Sequence, residues 1–443
     1  MQNPRFAVVL NTALASLAAG LLFTAVVVAA GLGQAYHFDG HNGHQPQAGL
    51  VIDSAGNLYG TTAEGGGHKG RKCPEGCGVA FEIGLDANGE FKEKVIHRFS
   101  GSDNGDGALP VSGLIFDSAG NLYGTTAQGG STACGGSGPS QGGCGVVFEL
   151  TPAANGEWTE TILYTFTDGN DGGVPQAGLI FDGAGNLYST AGGGGANNAG
   201  VVFELTPQAN GQWNETILHA FSNSGGDGAD PFGGLIFDGA GNLYGTTAFG
   251  GGASNGGIVF ELSSGANNQW SETILHTFAY GQEGAVPMAG LTFDGAGNLY
   301  CTTIQGGGGG GGSVFELTPG SGGIWTVTTL HNFSEHADGN EPFGGVIFDG
   351  AGNLYGTTRE GGVENDGVVF RLTPQADGQW TETAYHLTGG NGGADPVAGV
   401  VFDSVGNLYG TAEYDSSSSA CGTNGCGVVF RLNSGALQGH RHD

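Results

Sequence analysis

The sequence predicts an all-β protein, a seven-bladed β-propeller of four-stranded blades closed by an N-terminal strand, on three observations. The motif D-x-x-G-N-L-Y occurs seven times, at Asp53, Asp117, Asp182, Asp238, Asp294, Asp349 and Asp403. Each copy stands among short apolar runs punctuated by Gly-rich turns. The first and last copies are incomplete in complementary ways. Repeats of 54 to 65 residues suit a propeller blade, whereas a β-helix rung is too short for four strands and a sandwich does not repeat its loop chemistry seven times.

The unit that begins at Ala177 gives each element in order. AGLIFD is a short apolar run bounded by Gly and Asp, which predicts an inner strand A buried on both faces. In D-G-A-G-N, Asp182 can bond its own backbone and Gly185 can take positive φ, so a tight turn follows. NLYST is strand B, and a Gly-rich loop leads to strand C, GVVFELTP, which Pro207 ends. After the turn NGQ, WNETILHAF alternates polar and apolar residues, as an outer strand D should. The last copy has strands A, B and C but no Trp-to-Phe strand D. Conversely, Tyr36, His37 and Phe38 resemble the end of a strand D and precede the first strand A. Pairing the two ends closes the ring and hides its open edges.

The long unit D-[SG]-A-G-N-L-Y-G-T-T…G-V-V-F-E-L-T-P…W-x-E-T-I-L-H-x-F resembles the GloVer (Gloeo-Verruco) tandem repeat of exported bacterial proteins, over nearly all of residues 36–432. The resemblance implies architecture and export, and no reaction. Members of that family differ in their C-terminal anchors, and no anchor of that kind is visible after Leu432.

Arg5 followed by an apolar stretch to Ala30 reads as a secretory signal or an N-terminal anchor. Gly33-Gln34-Ala35 is the favoured cleavage site and Val28-Ala29-Ala30 an earlier one. The expected organisation is therefore a signal segment at 1–35, a propeller at 36–433 and a C-terminal tail at 434–443. The 94 Gly residues follow no triplet period, which excludes collagen. A net charge of -30 repels phosphate backbones and anionic lipid, so nucleic acid is excluded as a partner and no membrane span beyond the N-terminal segment is expected. The expected location is extracellular or at the cell surface, with the periplasm as a further option.

The seven Cys fit an oxidising compartment. Their loop positions predict disulfides Cys73–Cys77, Cys134–Cys144 and Cys421–Cys426, with Cys301 left over; zinc is the competing reading, weakened because no His stands at ligand spacing.

No residue is assigned as catalytic. The seven repeat Asp residues are turn acceptors. The loops joining strand D to the next strand A carry Asp103, Asp106, Asp168, Asp171, Asp227 and Asp230, which suggest Ca²⁺, yet none completes an EF-hand loop. No metal site and no cofactor is therefore assigned. His97, His219, His276, His331 and His386 recur on strand D and read as structural. The glycine run 306–312 precedes no helix and is a hairpin, not a phosphate loop. What varies between repeats is more informative. Just after strand B stand Glu64, Gln128, Gly193, Phe249, Gln305, Glu360 and Tyr414, a ring suited to ligand recognition. Three long B–C loops, 62–78, 126–145 and 412–427, belong to blades that are neighbours in a closed ring, and Lys69, Arg71 and Lys72 lie in the first. The function these features favour is non-catalytic binding of an extracellular glycan or protein on that sector. The alternative is a lyase or lactonase-like hydrolase acting on an extracellular polysaccharide or lactone.

Overall fold

The computed structural model describes residues 32–67, 73–131, 134, 142–266, 269–334, 337–415 and 421–437. Seven four-stranded antiparallel sheets stand as blades in a ring. Blade 3 shows the pattern: strand A (Ile180–Phe181), B (Leu187–Ala191), C (Val201–Pro207) and D (Trp213–Ala220), each paired with the next. Strand B is buried throughout, and strand D alternates between half-buried and exposed residues from Trp213 to Ile217.

Strand A is shorter and less buried than the sequence predicts. Only Ile180 and Phe181 pair with strand B, and both are half-buried. The preceding residues, Ala177 and Gly178, spend their carbonyls elsewhere: Thr125 Oγ1 of the previous blade donates to Ala177 O at 3.1 Å and Ser189 Oγ to Gly178 O at 2.9 Å. The Thr bond recurs around the ring, as in Thr246 Oγ1 to Ala289 O (2.9 Å) and, from the last blade to the first, Thr411 Oγ1 to Ala48 O (2.9 Å). Each such bond between neutral groups contributes about 1 kcal/mol, and the buried carbonyl makes its loss dearer.

Blade 7 takes its fourth strand from the start of the chain. Leu32–His37 pairs antiparallel with Val428–Leu432, from Leu32 opposite Leu432 to His37 opposite Val428, with a bulge between Gln34 and Tyr36. The closing strand thus starts upstream of the residues that betray it in the sequence. A boundary at Ala35 falls inside it, and a boundary at Ala30 would leave it whole. Phe38 then packs on Phe81 of blade 1 with ring centroids 5.1 Å apart, as Phe166 of blade 2 packs on Phe203 of blade 3 at 5.2 Å. Phe-to-Phe contacts of this kind anchor the apolar clusters between consecutive blades.

The A–B turn is built as the sequence predicts. Asp182 Oδ1 accepts from the backbone N–H of Ala184 (2.8 Å) and Asn186 (2.9 Å), and Gly185 has φ +88°. The motif's Asn and Tyr complete it: Asn186 Nδ2 and Tyr188 Oη donate to Oδ2 at 2.8 and 3.2 Å. Burial pushes the Asp182 carboxyl up, and these hydrogen bonds outweigh burial and hold it below its ordinary range. All seven motif Asp residues are engaged this way, as turn acceptors.

Residues Ser434–Leu437 form one helical turn, and Leu437 is buried against Tyr355 and Leu432, so this part of the expected tail packs under blades 6 and 7. Disulfides join Cys73–Cys77, Cys134–Cys144 and Cys421–Cys426, with Cα separations of 5.1, 5.8 and 5.1 Å. Cys301 is free and fully buried. It stands where other blades have Gly or Ser, its Sγ lies 3.3 Å from Ala289 O, and burial pushes its thiol up to about 12, which keeps it inert. Three disulfides, with no helix among the described residues long and apolar enough to cross a membrane, fit a secreted or extracellular protein.

Candidate binding face

The face that carries the D–A and B–C loops is organised by the residue before each Pro that leads into strand A. Gln45, Leu109, Val174, Asp230, Val286, Glu341 and Asp395 all have φ between 53° and 61°. A left-handed conformation before Pro is disfavoured, and for Val174 and Val286 it is a true outlier, costing about 1 kcal/mol or more each. Two backbone hydrogen bonds hold it. The Asp230 N–H donates to Ala199 O in the previous blade's B–C loop, and Asp230 O accepts from Ala248 N–H just after its own blade's strand B, both at 3.0 Å. For blades 1, 2 and 3 the previous-blade acceptor is the carbonyl of the second Cys of a disulfide: Cys426 O for Gln45, Cys77 O for Leu109 and Cys144 O for Val174. The staples therefore fix the joints between blades, and not only the loop tips.

Beside this joint a second antiparallel bridge recurs. Glu64 pairs with His44, Gln128 with Ala108, Gly193 with Gly173, Phe249 with Ala229, Gln305 with Ala285, Glu360 with Asn340 and Tyr414 with Ala394. The ring that varies between repeats thus occupies one equivalent backbone position in all seven blades. The structure divides it into sectors. Lys69, Arg71 and Lys72 lie outside the described residues.

Across blades 6, 7 and 1 the ring is polar. His44 Nδ1 lies 3.2 Å from Glu64 Oε2, Gln45 Nε2 donates to Tyr414 Oη at 3.1 Å, and Asn340 Nδ2 donates to Glu360 Oε2 at 3.1 Å. Arg359, which the sequence analysis does not single out, lies 3.4 Å from Glu341 and 3.9 Å from Asp395, and stacks over Phe343 at 5.7 Å. Burial pushes the Glu413 carboxyl up to about 6, against the pull of Arg359. A hollow of about 240 Å³ opens between the stapled bases of loops 7 and 1, lined by Asp39, His41, His44, Gly67, Glu75 and Cys421.

At blades 3 and 4 the face is amide-rich. A hollow of about 310 Å³ sets the half-buried ring of Phe249 among Asn197, Asn198, Asn223, Asn255 and Asp230. Asn197 Nδ2 donates to Phe221 O at 3.2 Å, and Asn255 Oδ1 accepts from Gly250 N–H at 2.9 Å, so both side chains are positioned. Asn198, Asn223 and Asn255 have φ of 56°, 49° and 51°. Asn tolerates this conformation better than other non-Gly residues do. Of the predicted ring, Phe249 alone lines this hollow; the four Asn residues sit in loops outside the repeat motif, and the sequence marks them only as Asn beside Gly, Ala and Ser.

His386 does not share the strand D position of the other His residues. Strand D of blade 6 lacks the bulge found in blades 1 to 5, so His386 pairs with Val368, and Tyr385, opposite Val369, takes the equivalent place. His386 is buried, and burial lowers its pKa.

The fold and this face define a repeat-built seven-bladed propeller whose blades differ mainly in their loops. The chain belongs to the Gloeobacter/Verrucomicrobia repeat family, which matches residues 74–312 and 292–440. No curated protein matches the sequence. Among solved structures, it is similar to a protein of unknown function from Dyadobacter fermentans (10% identity, 91% of this chain and 97% of that one, TM-score 0.45). It is also similar to a candidate oxidoreductase (glucose dehydrogenase) of Thermus thermophilus (17% identity, 72% and 95% covered, TM-score 0.41). A third is a candidate gluconolactonase (13% identity, 80% and 99% covered, TM-score 0.40).

Proposed function

We propose that this protein is an exported, non-catalytic propeller that binds a glycan outside the cell. The hollow around Phe249 carries this reading. One aromatic face amid four Asn side chains and a carboxylate offers what a neutral sugar needs: a flat apolar surface for its C–H face and paired donors and acceptors for its hydroxyls. The half-buried ring and the positioned amides lose little freedom on binding. The acidic balance of the chain supports a neutral ligand over an anionic one. Export rests on the N-terminal apolar segment and the disulfides. Cleavage at Ala30 fits the closing strand better than cleavage at Ala35.

The test is a neutral-glycan panel followed by calorimetry on the best ligand. Phe249→Ala should weaken binding at least about tenfold, as expected for loss of one stacking aromatic, while Gln305→Ala on the next blade leaves it unchanged. Equal affinity of Phe249→Ala and the parent would overturn the site.

A second reading, an enzyme acting on a polysaccharide or lactone, draws on Glu413. A buried carboxyl raised to about 6 beside Tyr414 is a candidate proton donor near neutral pH. Product release from the bound glycan, abolished by Glu413→Gln, would favour it.

A further inference from the structure

At three blade interfaces on the outer rim, a strand D His faces two acids. One comes from the D–A loop that follows it, the other from the W-x-E of the next blade's strand D. The sets are His97/Asp106/Glu160, His219/Asp227/Glu272 and His331/Asp338/Glu382, with one ligand atom of each residue lying within 4.8 Å of the others. His97 Nε2 is 3.6 Å from Asp106 and 3.5 Å from Glu160. His219 Nε2 is 3.4 and 3.8 Å from its two acids, and His331 Nε2 is 3.8 Å from both of its own.

These distances exceed those of good hydrogen bonds. Three of them, 3.4, 3.5 and 3.6 Å, match the edges of a coordination tetrahedron, about 3.3 to 3.6 Å when ligands sit about 2.0 to 2.2 Å from the ion, and the three at 3.8 Å reach it by closing a few tenths of an ångström. Where a Tyr replaces the His, at Tyr164, its hydroxyl reaches Glu215 at 2.9 Å and an ordinary hydrogen bond closes the gap. In the first and third sets His97 Nε2 and His331 Nε2 have no hydrogen-bond partner, and neither has one oxygen of each facing Glu, Oε1 of Glu160 and of Glu382; in the second set His219 Nε2 meets Asp227 at 3.4 Å and Glu272 Oε1 is unpartnered, as Glu215 Oε1 also is at the Tyr interface. The Glu382 side chain is only 6% exposed, so water does not compensate it.

The D–A loop acid is oriented in each set by a Ser. The backbone N–H and hydroxyl of Ser100 both donate to Asp106 Oδ2, at 2.7 and 2.8 Å, and those of Ser222 both donate to Asp227 Oδ2, each at 2.8 Å. Ser334 N–H donates to Asp338 Oδ2 at 3.2 Å. Such outer contacts are typical of carboxylates that hold a metal.

We propose that these three clusters are metal sites, each binding one divalent ion of the zinc class and clamping two consecutive blades together. One imidazole and two carboxylates suit zinc better than Ca²⁺, which takes six to eight oxygens. Three protein ligands leave a fourth position for water. Each set ties strand D of one blade to its D–A loop and to strand D of the next, so its role is to lock the rim; the second set adjoins the Phe249 hollow, where Asn223 follows Ser222.

The test uses untagged protein, stripped with chelator, reloaded with zinc chloride, desalted and assayed for zinc by mass spectrometry. The parent should retain three zinc ions per chain. His97→Ala, His219→Ala and His331→Ala should each lose one, and the triple variant, checked for fold by circular dichroism, should retain none. Cobalt in place of zinc should give visible absorption that falls by a third with each substitution. No retained zinc in the parent, or an undiminished count in the folded triple variant, would overturn the proposal.

Discussion

Close to the axis, strand B of every blade gives a Thr hydroxyl to a carbonyl of the next, from Thr61 to Thr411, and the A–B turns superimpose in their hydrogen bonds. At the rim, the strand D position opposite the second residue of strand C is His in blades 1, 3, 4 and 5 and Tyr in blades 2, 6 and 7. The acid it meets on the next blade also varies: Glu160, Glu215, Glu272 and Glu382 have Val327 as their counterpart in blade 5. The inner region does the same work seven times and so tolerates little change. The rim is held by the same backbone pairing but is free to vary, and its chemistry is decided one interface at a time.

The largest effect should come from breaking the closure that both regions share. Removing Leu32–His37 exposes the edge of Val428–Leu432 and uncovers the apolar cluster beneath it. We expect the melting temperature to fall by about 10 °C or more, or the protein to aggregate. A truncated protein that melts with the parent would show that the ring does not depend on this strand.

A smaller effect separates the Tyr interface from the His interfaces. Burial pushes Glu215 up to about 7, partly offset by the Tyr164 hydrogen bond and reinforced by Asp171. The folded protein therefore keeps a proton that the unfolded chain gives up above its ordinary value near 4.5. The associated stability is complete below that value and is lost as pH rises through about 7. In chelator, the melting temperature should decline between about pH 5 and pH 8, and Glu215→Gln should decline less, by about 2 °C over that range. Parallel pH profiles would remove Glu215 from the account.

Much of the fold was legible because the inner region repeats. Asp, Gly, Asn and Tyr of the A–B turn announce each blade, and the missing strand of blade 7 is visible beside the surplus at residues 36–38. Strand A reads longer in the sequence than it is, because its apolar run begins before the two residues that pair, in backbone committed to the neighbouring blade. The start of the closing strand is hidden in the sequence because Leu32, Gly33 and Gln34 carry none of the W-x-E-T pattern. His386 shares the His position only in sequence spacing, because a bulge that such spacing hides shifts the register of strand D by one residue in blades 1 to 5. The rim clusters were illegible for a different reason. His97 and Glu160 lie on successive blades, far apart in sequence, and only the angle between blades brings them together.

The claim that single rim positions decide the chemistry meets its most direct test at Val327. His276 Nε2 already lies 3.4 Å from Glu283 Oε2, and only the third ligand is missing. Glu occupies the equivalent position in blades 1, 2, 3, 4 and 6, so Val327→Glu should fold normally. Zinc per chain, measured after stripping and reloading, should rise from three in the parent to four in Val327→Glu, and return to three when His276→Ala is added. A folded Val327→Glu protein that binds no more zinc than the parent would contradict the account.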